Sequence, residues 1–168
     1  MIKEWLRANV PDFFNLPEAE KKAIADFSLL WPLFEGRILG AGASVKSICK
    51  TVDEWERAGT LDAAYYSGEL AYFHQRYFAN GAPTDHFGQL RFGRLDRKDL
   101  VSATLGDPGN AAAGDQVKAC LIVVHRYRDT LFHGPKWQRE LRHRLEDFNA
   151  ANSILMKTLD LHGRLVSQ

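Results

Sequence analysis

The stretch Arg128-Asp129-Thr130-Leu131-Phe132-His133 sets an arginine and a histidine five positions apart, directly before Gly134-Pro135-Lys136-Trp137. Arginine is a permanent cation whose planar fork of donors grips phosphate. Histidine exchanges a proton near neutral pH. A fixed cation beside a proton carrier is the equipment needed to cleave an RNA backbone without a metal. The first steadies charge building on the phosphate, and the second moves the proton.

The elements that must hold this pair read as helices. Ala111 to about Phe132 places Val117, Leu121, Val124, Arg128 and Leu131 on one face, and Arg128 interrupts that otherwise apolar stripe. Five residues turn an ideal helix through about 140°, which separates Arg128 from His133 on a straight helix. Gly134-Pro135 is expected to end the helix near His133 and free its imidazole to turn. A guanidinium facing a bundle interior or a subunit interface needs a partner, so a structural ion pair is the plain alternative to phosphate binding. Glu35, beside the apolar stripe of an earlier helix, is one candidate partner.

That earlier helix spans Glu18 to Leu39. Pro17 suits its first turn, and Ile24, Phe27, Trp31, Phe34 and Ile38 form one apolar face. Pro32 inside it is expected to kink or interrupt it. Shorter helices are expected over Val45–Arg57 and Leu61–Phe78, and a weaker one over Asp96–Leu105. Asn80–Arg94 reads as a turn-rich loop, with a short strand or helical turn around Gln89-Leu90-Arg91-Phe92. Gly106-Asp107-Pro108-Gly109 is a break. The last and most regular element, Lys136–Leu161, carries Trp137, Leu141, Leu145, Phe148, Asn152, Leu155 and Leu159 in the four-three spacing of a bundle seam. Alternating β-rich runs and internal repeats are absent from the sequence. One all-α, bundle-like domain over residues 1–168 follows.

The 168 residues suffice for a sizeable core, and a net charge of +1 makes no global case for nucleic-acid or membrane binding. The charge is uneven, however. Val117 to Arg144 holds seven basic residues (Lys118, Arg126, Arg128, Lys136, Arg139, Arg142 and Arg144) against Asp129 and Glu140, a local excess of +5. Arg126, Lys136 and Arg139 flank the Arg–His pair and are candidates for contacts to neighbouring phosphates. A solvated charged face is the plain alternative.

Cys49 and Cys120 lie among apolar neighbours and read as unpaired core thiols of a reducing compartment. No signal peptide and no apolar run near the ~20 residues of a membrane span is seen, so a cytoplasmic protein is expected. His125 and His143 have no ligand-like spacing, and neither a metal nor a cofactor is expected. Phosphate loops, dinucleotide fingerprints and serine-nucleophile elbows are likewise missing. The aromatics from Tyr65 to Phe78 read as core rather than as a base-stacking platform. Asn152 reads as a polar residue that sets register within the final seam.

Arg, then Asp, Asn or His, then three residues, then His is the signature of the HEPN superfamily. The string Arg128-Asp129-Thr130-Leu131-Phe132-His133-Gly134 resembles the Arg-Asn-Asn-Leu-Phe-His-Gly form common among its bacterial members. The placement matches too: the end of one helix, a glycine-containing break, then a long final helix. The resemblance covers roughly Ala111 to Leu161. It implies an all-α bundle that works as a homodimer, with the two motif copies meeting across the interface. It further implies a metal-independent endoribonuclease of toxin–antitoxin or phage-defence type, acting on RNA alongside an antitoxin or defence-system partner. On that resemblance His133 is the general acid or base, Arg128 binds the scissile phosphate, and Asp129 orients Arg128 or the substrate. Attack by the ribose 2′-hydroxyl then leaves a 2′,3′-cyclic phosphate. A subgroup carries a Tyr two positions after the His, which a partner nucleotidyltransferase modifies. Pro135 stands there in this chain, so that form of control is not expected. Members that have lost activity serve as scaffolds, and a non-catalytic HEPN-type binding or assembly module is the rival expectation.

Overall fold

The computed structural model describes residues 1–40, 42–133 and 141–164, apart from the side chains of Phe132 and His133. The described chain is all-α except for one two-residue strand pair. It runs α1 (Ile2–Asn9), α2 (Pro11–Phe14), α3 (Glu18–Phe34), α4 (Val45–Arg57), α5 (Ser67–Tyr77), β1 (Phe78–Ala79), β2 (Ala82–Pro83), α6 (Asp85–Gly88), α7 (Lys98–Gly106), α8 (Ala113–His133) and α9 (Leu145–His162).

The centre of the molecule is α8. Every residue from Ala119 to Tyr127 is buried, so its apolar character extends all round rather than along the single stripe expected. α4 and α7 pack against it, while α9 lies along α3 and also meets α5 and α8. A helix covered on all sides carries apolar residues at every angle. Two polar side chains inside the buried stretch, His125 and Arg126, therefore need particular environments.

Pro32 does not interrupt α3, which continues to Phe34. It lies on the exposed side of the helix, while Phe27, Trp31 and Phe34 on the opposite side are almost wholly buried. The disturbance comes later, as a widened π-turn over Glu35–Leu39, a common way for a helix to absorb an irregular backbone. Across the α3–α9 contact, Asn152 donates from Nδ2 to the Ala23 carbonyl at 2.9 Å. This one polar bond in an otherwise apolar seam pins the register of the two helices.

The final helix starts later than its periodicity implies. Residues 141–143 form a turn and α9 begins at Leu145. His143 has a left-handed backbone (φ 61°), and its amide donates to Glu20 Oε1 on α3 at 3.2 Å. This tertiary bond competes successfully with helix continuation. The region 63–77 likewise divides into a 3₁₀ turn (Ala63–Tyr66) and α5. Beyond it Asn80-Gly81, both at positive φ, close the β1–β2 hairpin. The helical turn expected around residues 89–92 lies instead at Asp85–Gly88.

Both cysteines are free, with Cys120 buried and Cys49 half-buried. Among the described residues no helix is long and apolar enough to cross a membrane.

His125 yields a pH prediction. Burial lowers its pKa from the ordinary value, with smaller effects of both signs from Asp129, Arg126, Asp96 and Arg128, and its Nδ1 is buried without a hydrogen-bond partner among the described residues. The unfolded chain takes up this proton near pH ~6.5, whereas the native form does so only at lower pH. The contribution is therefore fully present above that pH and is lost as pH falls through the gap. Each proton taken up only by the unfolded chain costs at most about 1.4 kcal/mol per pH unit. Thermal melts between pH 7 and 5 should show this decline, and His125→Gln should flatten it.

Candidate functional site

Arg128 lies in the last turns of α8 with its side chain 33% exposed. Its Nη1 donates to Asp129 Oδ1 at 3.0 Å. The other carboxylate oxygen of Asp129 accepts from Arg126 Nη1 at 2.7 Å. Asp129 thus joins two guanidinium groups, one half-buried and one buried. Glu35 is not the partner of Arg128. Its Oε2 accepts from the indole Nε1 of Trp31, one turn earlier at the end of α3, at 2.9 Å.

Arg126 corrects the expectation that it contacts substrate. Its side chain is only 10% exposed, and its donors are taken by protein. Nε donates to the Leu90 carbonyl at 3.0 Å, Nη2 to the Arg91 carbonyl at 2.8 Å, and Nη1 also lies 2.8 Å from Asp96 Oδ2. The same Asp96 oxygen accepts from the Gly93 amide at 2.5 Å. A β-carbon at position 93 would sit 3.0 Å from that oxygen, a tight contact that Asp96 would have to relieve. One buried arginine therefore supplies the partners that the irregular 90–96 backbone cannot find in itself. It also ties that loop to the helix carrying Arg128.

α8 is helical through His133, whose backbone belongs to its last turn. The imidazole lies outside the described side chains, and Lys136 and Arg139 lie outside the described residues, as do Gly134 and Pro135. Around an ideal helix the α-carbons of residues 128 and 133 are about 140° apart and separated by about 7.5 Å along the axis. The α-carbon of residue 133 is closer in direction to Thr130, about 60° away.

Thr130 marks the wall of a cleft of about 660 Å³. Four arginines, Arg76, Arg91, Arg142 and Arg144, line it together with His86 and His143, and Asp147 is its one carboxylate among the described residues. Arg128, about 200° around the helix from Thr130, is not in its lining. The end of α8 thus presents two cationic faces, the Arg128 side and the cleft side.

The inner wall of the cleft is rigid. Asp147, with a side chain 3% exposed, accepts from Tyr72 Oη at 2.7 Å, Arg76 Nη2 at 3.3 Å and Arg144 Nε at 3.0 Å. Arg76 Nε adds an ion-pair contact at 3.1 Å rather than an aligned hydrogen bond. The Arg144 guanidinium also lies 4.5 Å from the centre of the Tyr127 ring and 5.3 Å from that of Phe148, within cation–π range. Burial opposes its charge, but Tyr127 and Asp147 outweigh that and raise its pKa. Behind it the hydroxyls of Tyr77 and Tyr127 are hydrogen-bonded to each other. Burial is the main cause of their raised pKa values, so both stay protonated.

The outer wall comes from loops. Arg91 and His143, on opposite sides of the cleft in sequence, both have left-handed backbones (φ 50° and 61°). Such conformations cost of order 1–3 kcal/mol each and persist only where the surroundings impose them. Here Arg126 holds the Arg91 carbonyl, and Glu20 holds the His143 amide. His86 Nδ1 lies 3.2 Å from Gln89 Oε1, within hydrogen-bond distance.

Of the cations lining the cleft, sequence reading offered only Arg142 and Arg144 for their charge, as members of a basic window. Arg76, His86 and Arg91 come from segments more than twenty residues before α8 and form no motif of their own. The remaining signal was the turn-rich 80–94 stretch, which carries His86 and Arg91. Comparisons with protein-family models, with characterised proteins and with solved structures find no match to this chain.

Proposed function

We propose that this protein is a metal-independent endoribonuclease of the HEPN type, working at the C-terminal end of α8 as a homodimer. The observation that carries the reading is the arrangement of Arg128: a one-third exposed guanidinium held by Asp129, which Arg126 holds in turn. A cation fixed before substrate arrives loses little orientational freedom on meeting phosphate, which is what stabilisation of a phosphorane-like transition state requires. In this reading His133, on the same helix, moves the proton between the ribose 2′-hydroxyl and the leaving 5′-oxygen. The Arg128 face of α8 meets its symmetry mate, and a toxin or phage-defence role in the cytoplasm, with an antitoxin or defence partner, follows from the family resemblance.

The test is incubation of the pure protein with mixed RNA in EDTA and analysis of the new ends. Fragments ending in 2′,3′-cyclic phosphate and beginning with 5′-hydroxyl are expected. Intact RNA at every protein concentration refutes the reading.

A second reading, a non-catalytic HEPN-type assembly module, draws on one specific observation. Two of the three polar groups near the start of the motif, Arg126 and Asp129, are consumed by holding the protein together. That reading predicts a dimer that leaves RNA uncut.

A further inference from the structure

The cleft on the Thr130 side of α8 has a composition that the Arg128–His133 pair does not explain. Four guanidinium groups converge on it, and its one described carboxylate is saturated by two of them and by Tyr72. An anion reaching Arg76 and Arg144 therefore meets two guanidinium groups that share a single carboxylate. Converging arginines of this kind recognise phosphate, because the fork of donors matches its oxygens.

The inner pair is built before any ligand arrives. Asp147 fixes Arg144 through Nε alone, so its terminal nitrogens take no protein acceptor among the described residues, while two aromatic rings hold the guanidinium plane. Arg76 uses Nε and Nη2 on the same carboxylate, which leaves Nη1. The outer pair comes from loops. Arg142, half exposed, makes a 3.4 Å surface contact with Asp12 that a phosphate can replace at little cost. Arg91 reaches the cleft from the loop that Arg126 anchors. A cleft of about 660 Å³ far exceeds one phosphate group and lies within the range of nucleotide-sized ligands. The flat side chains of His86 and His143 offer faces against which unstacked bases can rest.

We propose that this cleft binds the backbone of a single RNA strand, with one phosphate on Arg76 and Arg144 and adjoining phosphates on Arg91 and Arg142. The choice of RNA rests on the endoribonuclease reading, whereas the phosphate chemistry rests on the cleft alone. The cleft then acts as the substrate-holding groove beside the end of α8, and the affinity is largely independent of base sequence because phosphate contacts carry no sequence information.

The test uses a short fluorescent 2′-O-methyl RNA, which binds but cannot be cleaved because the attacking hydroxyl is blocked. Fluorescence polarisation is measured over a series of salt concentrations. The full-length protein should bind it. Arg142→Glu and Arg91→Glu should each weaken binding by about tenfold or more, and each lost phosphate contact should lower the slope of log affinity against log salt by about 0.7. Lys50→Glu, an equal charge change on exposed α4, is the control and should have a much smaller effect. Equal losses from Lys50→Glu and Arg142→Glu, or no binding by the wild type, overturn the proposal. So does tight binding of inorganic pyrophosphate without binding of the strand. Failure here is separable from failure of the cleavage reading. Undiminished cleavage of ordinary RNA, with unchanged KM, in both arginine variants overturns the groove and leaves the nuclease. A strand bound through Arg91 and Arg142 with no cleavage supports the groove and overturns the nuclease.

Discussion

Arg128→Ala is expected to lower RNA cleavage in EDTA by about 10²–10³-fold, the usual consequence of removing one donor aimed at developing negative charge. His133→Ala should cost about 10²–10⁴-fold, the range of a positioned general acid or base. The two losses differ in kind. Arg128→Lys keeps a charge but not the fork, so it should recover only part of the rate. His133→Ala should also abolish the pH dependence of cleavage near neutrality. Arg128→Ala should disturb folding little, because Arg128 is partly exposed and its one hydrogen bond among the described residues is to its sequence neighbour. Matching thermal melts therefore accompany the rate measurements, and equal rates in wild type and both variants would remove the motif from the chemistry. Asp129→Ala is a poor probe of the same question, since it also strips a partner from buried Arg126.

The largest stability effect should come from Asp147→Ala. This carboxylate is almost fully buried and answers Tyr72, Arg76 and Arg144 at once. Its loss leaves a largely buried guanidinium, that of Arg144, without its counter-charge, and breaking a buried pair from one side costs about 3–5 kcal/mol. Against total stabilities of about 5–15 kcal/mol for a domain, that is a large fraction. Urea denaturation should show the midpoint falling steeply with little change in slope. Asp147→Asn, which can still accept from Tyr72, should lose less. If Asp147→Ala unfolds at the wild-type midpoint, the hub described for the inner wall is not energetically real. Because Asp147 also fixes the inner arginines, the folded fraction of this variant should bind RNA poorly.

How much of this was legible beforehand varied by element, for physical reasons. α4 was read with its observed bounds, Val45–Arg57, because its amphipathic pattern is uninterrupted and glycines stand on both sides. The seam of α9 from Phe148 onward was read correctly for the same reason: Phe148, Asn152, Leu155 and Leu159 are all buried. The start of α9 was not legible, since it depends on Glu20, more than a hundred residues away, taking the His143 amide. Pro32 stands inside α3 without interrupting it, while the backbone irregularity falls just after it, over Glu35–Leu39. Asp129 beside Arg128 was visible as a pair of neighbours. The burial of Arg126 was not, because its acceptors are backbone carbonyls, and carbonyls leave no mark in a sequence. The cleft suffered most. Its arginines come from α5, the loop after α6 and the lead-in to α9, so only folding makes them a group.

The Arg126 anchor has a consequence for motion. Loop 90–96 has few backbone bonds of its own, and three of its attachments pass through one side chain rooted in the most buried helix of the molecule. The loop cannot leave without stranding that guanidinium. Its opening is therefore linked to fraying of the end of α8, and the two segments belong to one cooperative unit. In hydrogen–deuterium exchange the Gly93 amide, though it lies in a surface loop, should exchange in step with the last turns of α8.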